Sequence, residues 1–380
     1  MKAIINAELV MRDHLIPDAV VLMEDELIVA FGEADKISIP DDAEIIDADG
    51  YYVGPGLVDI HSHTGGDYQA WEHPLEAALY HLEHGVTTYL PTTYPRSSAS
   101  QCIRACENVR AAMSTVDGKC IGGIHFEGPY INVKYGSNRS LNPWDKPVMA
   151  EDYEPILDAS EGILRLTGFA PEREGILGYV KYAINKNPRV KFAVAHSEAS
   201  PSEIERYIPY GLCIGTHHTN ATGTLEKYPE CRGVCVDEAV NYNSSIYAEI
   251  ISDSKGIHVD PYMQRLVRRI KGDDRIILIS DRTYSDAPPP DGYEGVHDIN
   301  FDCEGEIAGS KLTLDVAAGN YMKHTGASLV DAFKVASYNP ARALGFYDRG
   351  EINIGFRADL IFVDHRMNVK SVILCGNKIK

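Results

Sequence analysis

His61 and His63, two apart in PGLVDIHSH, can turn to one face of an extended chain and reach a single metal ion. Glu127 closes the run HFEGPY, where Gly128-Pro129 stops any strand, and a carboxylate there can bind or bridge a hard cation. Phe192, Val194 and His196 alternate in KFAVAHS, as do Cys213, Gly215 and His217 in LCIGTHH and Ile277, Ile279 and Asp281 in RIILISD. Each is an apolar row that closes on one polar residue. Taken singly, each has a plainer role, a core histidine bonded to a carbonyl or a strand-end aspartate capping a helix. Occurring together at strand ends, they point to a metal site.

Imidazole with carboxylate suits zinc by default, with iron, cobalt or manganese as alternatives. Such an ion polarises a carbonyl and lowers the pKa of its bound water from near 16 to about 7. A carboxylate beside that water, assigned to Asp281, takes its proton and passes it to a leaving amine, so the expected reaction is amide hydrolysis. One ion or two is left open. Glu127, His196 and His217 complete one set; His61, His63 and Asp281 build a second beside it.

These residues need a scaffold that brings strand ends together. From Gly54 onward, short apolar runs alternate with amphipathic stretches such as LEAALYHLEHG and SQCIRACENVRAAMS. Eight candidate strands begin near Leu57, Val86, Cys120, Ile163, Val190, Gly211, Tyr247 and Ile276. Eight β-then-α units predict an α/β fold, a (β/α)8 TIM barrel over residues 53–344 with its site at the C-terminal ends of the strands. The remaining segments, 1–52 and 345–380, read as short alternating strands and are expected to pair into one small β-sandwich domain.

Composition narrows the function further. The chain has 380 residues, and 55 acidic against 36 basic residues give a net charge of -19, which excludes a nucleic-acid partner because phosphate backbones need a basic face. No stretch of 18 apolar residues occurs and the first residues lack a signal-peptide core, so a cytoplasmic enzyme is expected, with no membrane partner. The eight cysteines form no CxxC and are expected to be reduced thiols.

The segments PGLVDIHSH, HFEGPY, AHS, THHTNA, GIHV and LISD, in that order, resemble the amidohydrolase superfamily, and within it the N-acetylglucosamine-6-phosphate deacetylase family. The likeness continues through IAGSKLTLDVAAGNY, SYNPARALG and GEINIGFRADLIFVD and so covers nearly the whole chain. It implies a divalent metal, one or two per chain, held by Glu127, His196 and His217, with His61 and His63 serving a second ion in some members. It implies Asp281 as the catalytic acid/base, Asn220, Ala221 and His258 at the sugar or its phosphate, His258 polarising the acyl carbonyl, and a homodimer.

Three stretches depart from that family. GTLEKYPECRG lacks the expected arginine, leaving Lys227 or Arg232 to substitute; KYGSNRS lacks a histidine; and RTYSDAPPPDGYEGVHD replaces small residues after Asp281. That last segment is a candidate lid; His73, His81, His84, His297 and His324 are assigned surface or packing roles, with His297, which follows Asp281 in the remodelled loop, the one of them placed where it could reach substrate. The first expectation is deacetylation of N-acetylglucosamine 6-phosphate. The alternatives are another N-acyl amino sugar, such as an N-acetylgalactosamine phosphate or an unphosphorylated sugar, and a metal-dead scaffold.

Overall fold

The computed structural model describes residues 1–380 apart from 224 and 225. Eight parallel strands stand side by side in chain order: Leu57–Ser62, Val86–Thr93, Ile124–Phe126, Leu164–Phe169, Lys191–Val194, Leu212–Gly215, Tyr247–Ile250 and Ile276–Leu278. They are barrel strands one to eight. Backbone groups just beyond the strands close the ring: the Asp281 N–H donates to the His61 carbonyl at 2.9 Å, and the His63 N–H to the Arg282 carbonyl at 2.8 Å. A helix follows every strand, from Pro74–Glu83 after the first to Leu314–Thr325 after the eighth. The barrel expected from the β-then-α alternation is therefore present.

The helices form where amphipathic periodicity coincides with a start signal. In Ala99–Met113, Cys102, Ala105, Cys106, Val109 and Ala112 are buried at helical spacing against the barrel. Ser98 caps this helix, its hydroxyl accepting from the Gln101 N–H while the Gln101 side chain returns to the Ser98 N–H. Cys102 and Cys106 thus serve as small apolar core residues.

The third strand starts later than its apolar run implies. Asp117–Cys120 is a turn of 3-10 helix, and Gly123 has φ +140°, with room for no Cβ because Ile163 O would lie 2.5 Å away. The strand proper begins at Ile124.

Both ends of the chain meet in one mixed sheet outside the barrel. Its order runs Asn377–Lys378, Val369–Leu374, Leu360–Val363, Tyr52–Pro55, Lys2–Val10, Leu15–Glu24 and Leu27–Glu33, with Glu44–Asp47 also pairing to Lys2–Val10. Antiparallel pairing of Tyr52–Pro55 with Leu360–Val363 joins the two termini. Val53 and Phe362, a pair in that register, share a core of their own with Ile4, Val21 and Ile373. No helix among the described residues is long and apolar enough to cross a membrane.

Candidate metal centre and active-site cleft

At the C-terminal ends of the strands, four imidazoles and two carboxylates converge. His196 Nε2 lies 2.8 Å from Glu127 Oε1, His217 Nε2 lies 3.2 Å from the same oxygen, and the two ring nitrogens are 3.0 Å apart. His63 Nε2 is 3.1 Å from Glu127 Oε2 and 3.4 Å from Asp281 Oδ1. His61 Nε2 is 3.6 Å from both carboxylates. Glu127 belongs to two groups of three side chains compact enough to hold an ion, one with His61 and His63, the other with His196 and His217. All six residues are buried.

Hydrogen bonds on the far side of the rings decide which nitrogen is free. His61 Nδ1 faces Glu249 Oε2 at 3.2 Å, His63 Nδ1 faces the Thr92 carbonyl at 3.3 Å, and His217 Nδ1 faces the Asn220 carbonyl at 3.3 Å. Those partners accept only, so each Nδ1 carries the proton and each Nε2 turns a lone pair toward Glu127. Lone pairs aimed at carboxylates repel unless a cation lies between them. His61 Nε2 is buried with no hydrogen-bond partner among the described residues. Nitrogens about 2.0–2.1 Å from a tetrahedral ion lie roughly 3.3 Å apart, close to the His196–His217 separation. The donor set therefore fits a divalent metal.

Electrostatics agree. Burial alone pushes the Glu127 carboxyl up, but a protonated His61 and N–H donors from His196 and His217 outweigh it and hold it well below the usual range, the part a cation takes when these nitrogens are bare. Asp281 is likewise lowered, burial opposing and His61 and His63 prevailing. Both are anionic at neutral pH, the form that binds a cation or accepts a proton.

The backbone brings these side chains in by two routes. Ile277 pairs with inward-facing Glu249, and Asp281 continues its row, as the alternation implies. The fifth and sixth strands work differently. A Cβ at Gly215 would lie 2.6 Å from Val240 on the outer helix Val236–Tyr242, so the Cys213 and Gly215 row faces outward. Phe192 pairs with Thr167, whose hydroxyl bonds Tyr179 on the helix Ile176–Lys186, so the Phe192 and Val194 row also faces helices. His196 and His217 lie two residues past their strands, at φ 43° and 28°, and this left-handed backbone turns the rings into the barrel mouth. The right histidines were expected there, but not by this route. Asp281 and Ala221 share the left-handed conformation, at φ 43° and 52°.

Above the cluster opens a cleft of about 270 Å³, lined among others by His63, Glu127, His196, His217, His258 and Asp281. Asn220 and Ala221 line it too, as expected. His258 donates from its backbone N–H to Asp253 Oδ2 at 2.8 Å and holds its Nδ1 3.3 Å from the same oxygen, leaving Nε2 buried without a partner among the described residues.

Lys227 and Arg232 are exposed on a small hairpin outside the cleft lining, and Arg232 pairs with Glu238 at 2.7 Å. The hairpin's own short strands, Glu226–Tyr228 and Cys231–Arg232, pair with each other. Thr224 and Leu225 of the same stretch lie outside the described residues. His297 is also exposed and outside the lining, whereas Thr283, Tyr284 and Ser285 from its segment do reach the cleft. His81, assigned a packing role, is fully buried.

Comparison with known proteins narrows the chemistry. Residues 269–379 match the profile of the Amidohydrolase family. A Lysinibacillus sphaericus protein named N-acetylglucosamine-6-phosphate deacetylase is 26% identical over 348 residues, covering 87% of this chain and 86% of that protein. A Mycobacterium smegmatis N-acetyl-D-glucosamine-6-phosphate deacetylase variant, solved with N-acetyl-D-glucosamine-6-phosphate, superposes with a TM-score of 0.81 at 25% identity, covering 99% of this chain and 98% of that one. An Escherichia coli O157:H7 protein named N-acetylgalactosamine-6-phosphate deacetylase is 25% identical over 360 residues, covering 89% of this chain and 90% of that protein. The chain is thus a hydrolytic enzyme similar to metal-dependent amidohydrolases, and its imidazole and carboxylate cluster could hold a metal ion.

Three residues of the site escaped the sequence. Glu249 orients His61 from the seventh strand, where an isolated glutamate in YAEI carries no motif. Tyr94 stacks on the His63 ring at 4.2 Å with 8° between planes, and Arg96 lies 4.5 Å over the Tyr94 ring. The signal available was position alone: both directly follow the second barrel strand.

Proposed function

We propose that this enzyme removes the acetyl group of N-acetylglucosamine 6-phosphate, giving glucosamine 6-phosphate and acetate. The observation that carries the hydrolytic reading is the convergence of His196 and His217 on Glu127 with Asp281 beside them at the cleft floor. The choice of substrate follows the names of relatives that align with most of the chain. It is preferred to an N-acetylgalactosamine phosphate, an unphosphorylated sugar or an inert scaffold.

Glu127, His196 and His217 would hold one divalent ion, zinc by the chemistry of the donor set, and His61 and His63 with Asp281 a second. Such an ion supplies Lewis acidity at the acyl carbonyl and acidifies water. Asp281, anionic and half-turned to the cleft, accepts a proton from the attacking water and returns it to the amine nitrogen as the C–N bond breaks. Asp253 holds His258 at Nδ1, and the unpartnered Nε2 is the atom that polarises the carbonyl oxygen. Asn220 and Ala221 orient the sugar from the loop after the sixth strand. The barrel over 53–344 carries the chemistry and the sheet from 1–52 and 345–380 supports it. A cytoplasmic homodimer completes the reading.

The test is acetate release from N-acetylglucosamine with and without the 6-phosphate, by protein of counted metal content. Turnover preferring the phosphorylated sugar at least tenfold is expected; no acetate from either sugar by metal-loaded protein would sink the reading.

A further inference from the structure

A chain of net charge -19, with Glu127, Asp281, Asp302 and Glu306 around its cleft, repels an anionic substrate unless a cation is placed to receive it. Two arginines line that cleft, Arg96 and Arg139. Arg139 is engaged: it bonds the Glu306 carboxylate and the Lys134 carbonyl. Arg96 has no carboxylate or carbonyl partner among the described residues. Its guanidinium lies 4.5 Å from the centre of the Tyr94 ring, and that ring stacks on His63 of the metal cluster at 4.2 Å.

The base of Arg96 is fixed. Ser97, its neighbour, is buried, donates from its N–H to the Tyr94 carbonyl at 3.0 Å, and accepts at its own carbonyl from Trp144 Nε1 at 2.8 Å. The Trp144 N–H in turn is held by Asn142 Oδ1, which leaves the Asn142 amide NH2 on the cleft wall beside this junction. The guanidinium therefore stands two stacking steps, 4.5 and 4.2 Å, from a ring of the metal cluster.

We propose that Arg96 is the residue of this chain that selects for the phosphate of the substrate. The inference rests on the substrate being a phosphorylated amino sugar. A planar guanidinium with its fork unpaired binds a phosphate monoester through charge-assisted hydrogen bonds, and stacking on Tyr94 limits the entropy lost when it does. Tyr94 is a positioning residue, next to both the cation and His63.

The experiment measures kcat and KM for N-acetylglucosamine 6-phosphate and for N-acetylglucosamine, and calorimetric binding of glucosamine 6-phosphate, with wild type, Arg96→Ala, Arg96→Lys and Arg232→Ala. Arg96→Ala is expected to lose between about tenfold and a hundredfold in kcat/KM for the phosphorylated sugar, mainly through KM, and to lose a similar factor in glucosamine 6-phosphate affinity. Arg96→Lys keeps the charge and should fall between the two. The ratio of kcat/KM with and without phosphate separates this from misfolding, which lowers both rates together. An unchanged ratio in Arg96→Ala, or a collapsed ratio in Arg232→Ala instead, overturns the proposal. If wild type hydrolyses neither sugar, the substrate reading fails, and the calorimetry still decides Arg96: equal affinity of wild type and Arg96→Ala refutes it.

Discussion

Lowering the pH should loosen the strand that carries His61 and His63, through a histidine that takes no part in the chemistry. His81, on the helix after the first strand, points its Nε2 at the Thr64 carbonyl at 2.8 Å and lies 3.2 Å from the Ser62 hydroxyl. Thr64 O can only accept, so Nε2 carries the proton and Nδ1 is bare; Nδ1 is buried with no partner among the described residues. Protonating it places a charge in the core against the Tyr89 ring. Burial therefore pushes the imidazole from 6.5 down to about 3, with Arg282 and His84 adding repulsion and Thr64 opposing. The folded pKa lies below the unfolded one, so this stability is complete above the unfolded value and is lost as pH falls from 6.5 toward 3. At about pH 4.5 the unfolded imidazole is charged and the folded one is not, a difference of roughly two pH units or about 3 kcal/mol. For a chain of this size that is a Tm shift of about 4 °C. His81→Gln keeps a donor for Thr64 without a titrating ring. Thermal unfolding of both proteins at neutral pH and at about pH 4.5 is the assay, with the acid drop of wild type exceeding that of the variant by about 4 °C. Parallel drops would refute the reasoning, because some other group would then be responsible.

Two further outcomes follow from the cluster. Asp281→Asn keeps the shape but not the basicity, so kcat should fall by about 10²–10⁴ while the ion at Glu127, His196 and His217 is retained; near-wild-type acetate release would remove Asp281 from the acid/base role. Glu127→Gln withdraws the one carboxylate common to both groups of ligands, so metal counted by elemental analysis should fall at both sets together; loss of only one ion would mean that the sets are held independently.

Much of this protein can be read from its residues in order. The alternation of short apolar runs with capped amphipathic helices determines a barrel, since each strand's inward row must be covered by its neighbours and each helix's stripe by the strands. His61 and His63, two apart on one strand, and Glu127, stopped by Gly128-Pro129, are local facts with local causes. Alternation misleads at the ends of the fifth and sixth strands, because it records the pleat and cannot record a switch to left-handed backbone at His196 and His217. It is also blind to partners far along the chain. Ring closure sets Glu249 against His61, 188 residues away. Loop packing leaves Lys227 and Arg232 outside the cleft lining and Arg96 within it. Residue types and spacing determined which ligands exist, because those depend on neighbours one turn or one pleat away. Tertiary structure decided which atoms meet and where a free cation stands, because distances across a barrel mouth arise only when eight strands close on one another.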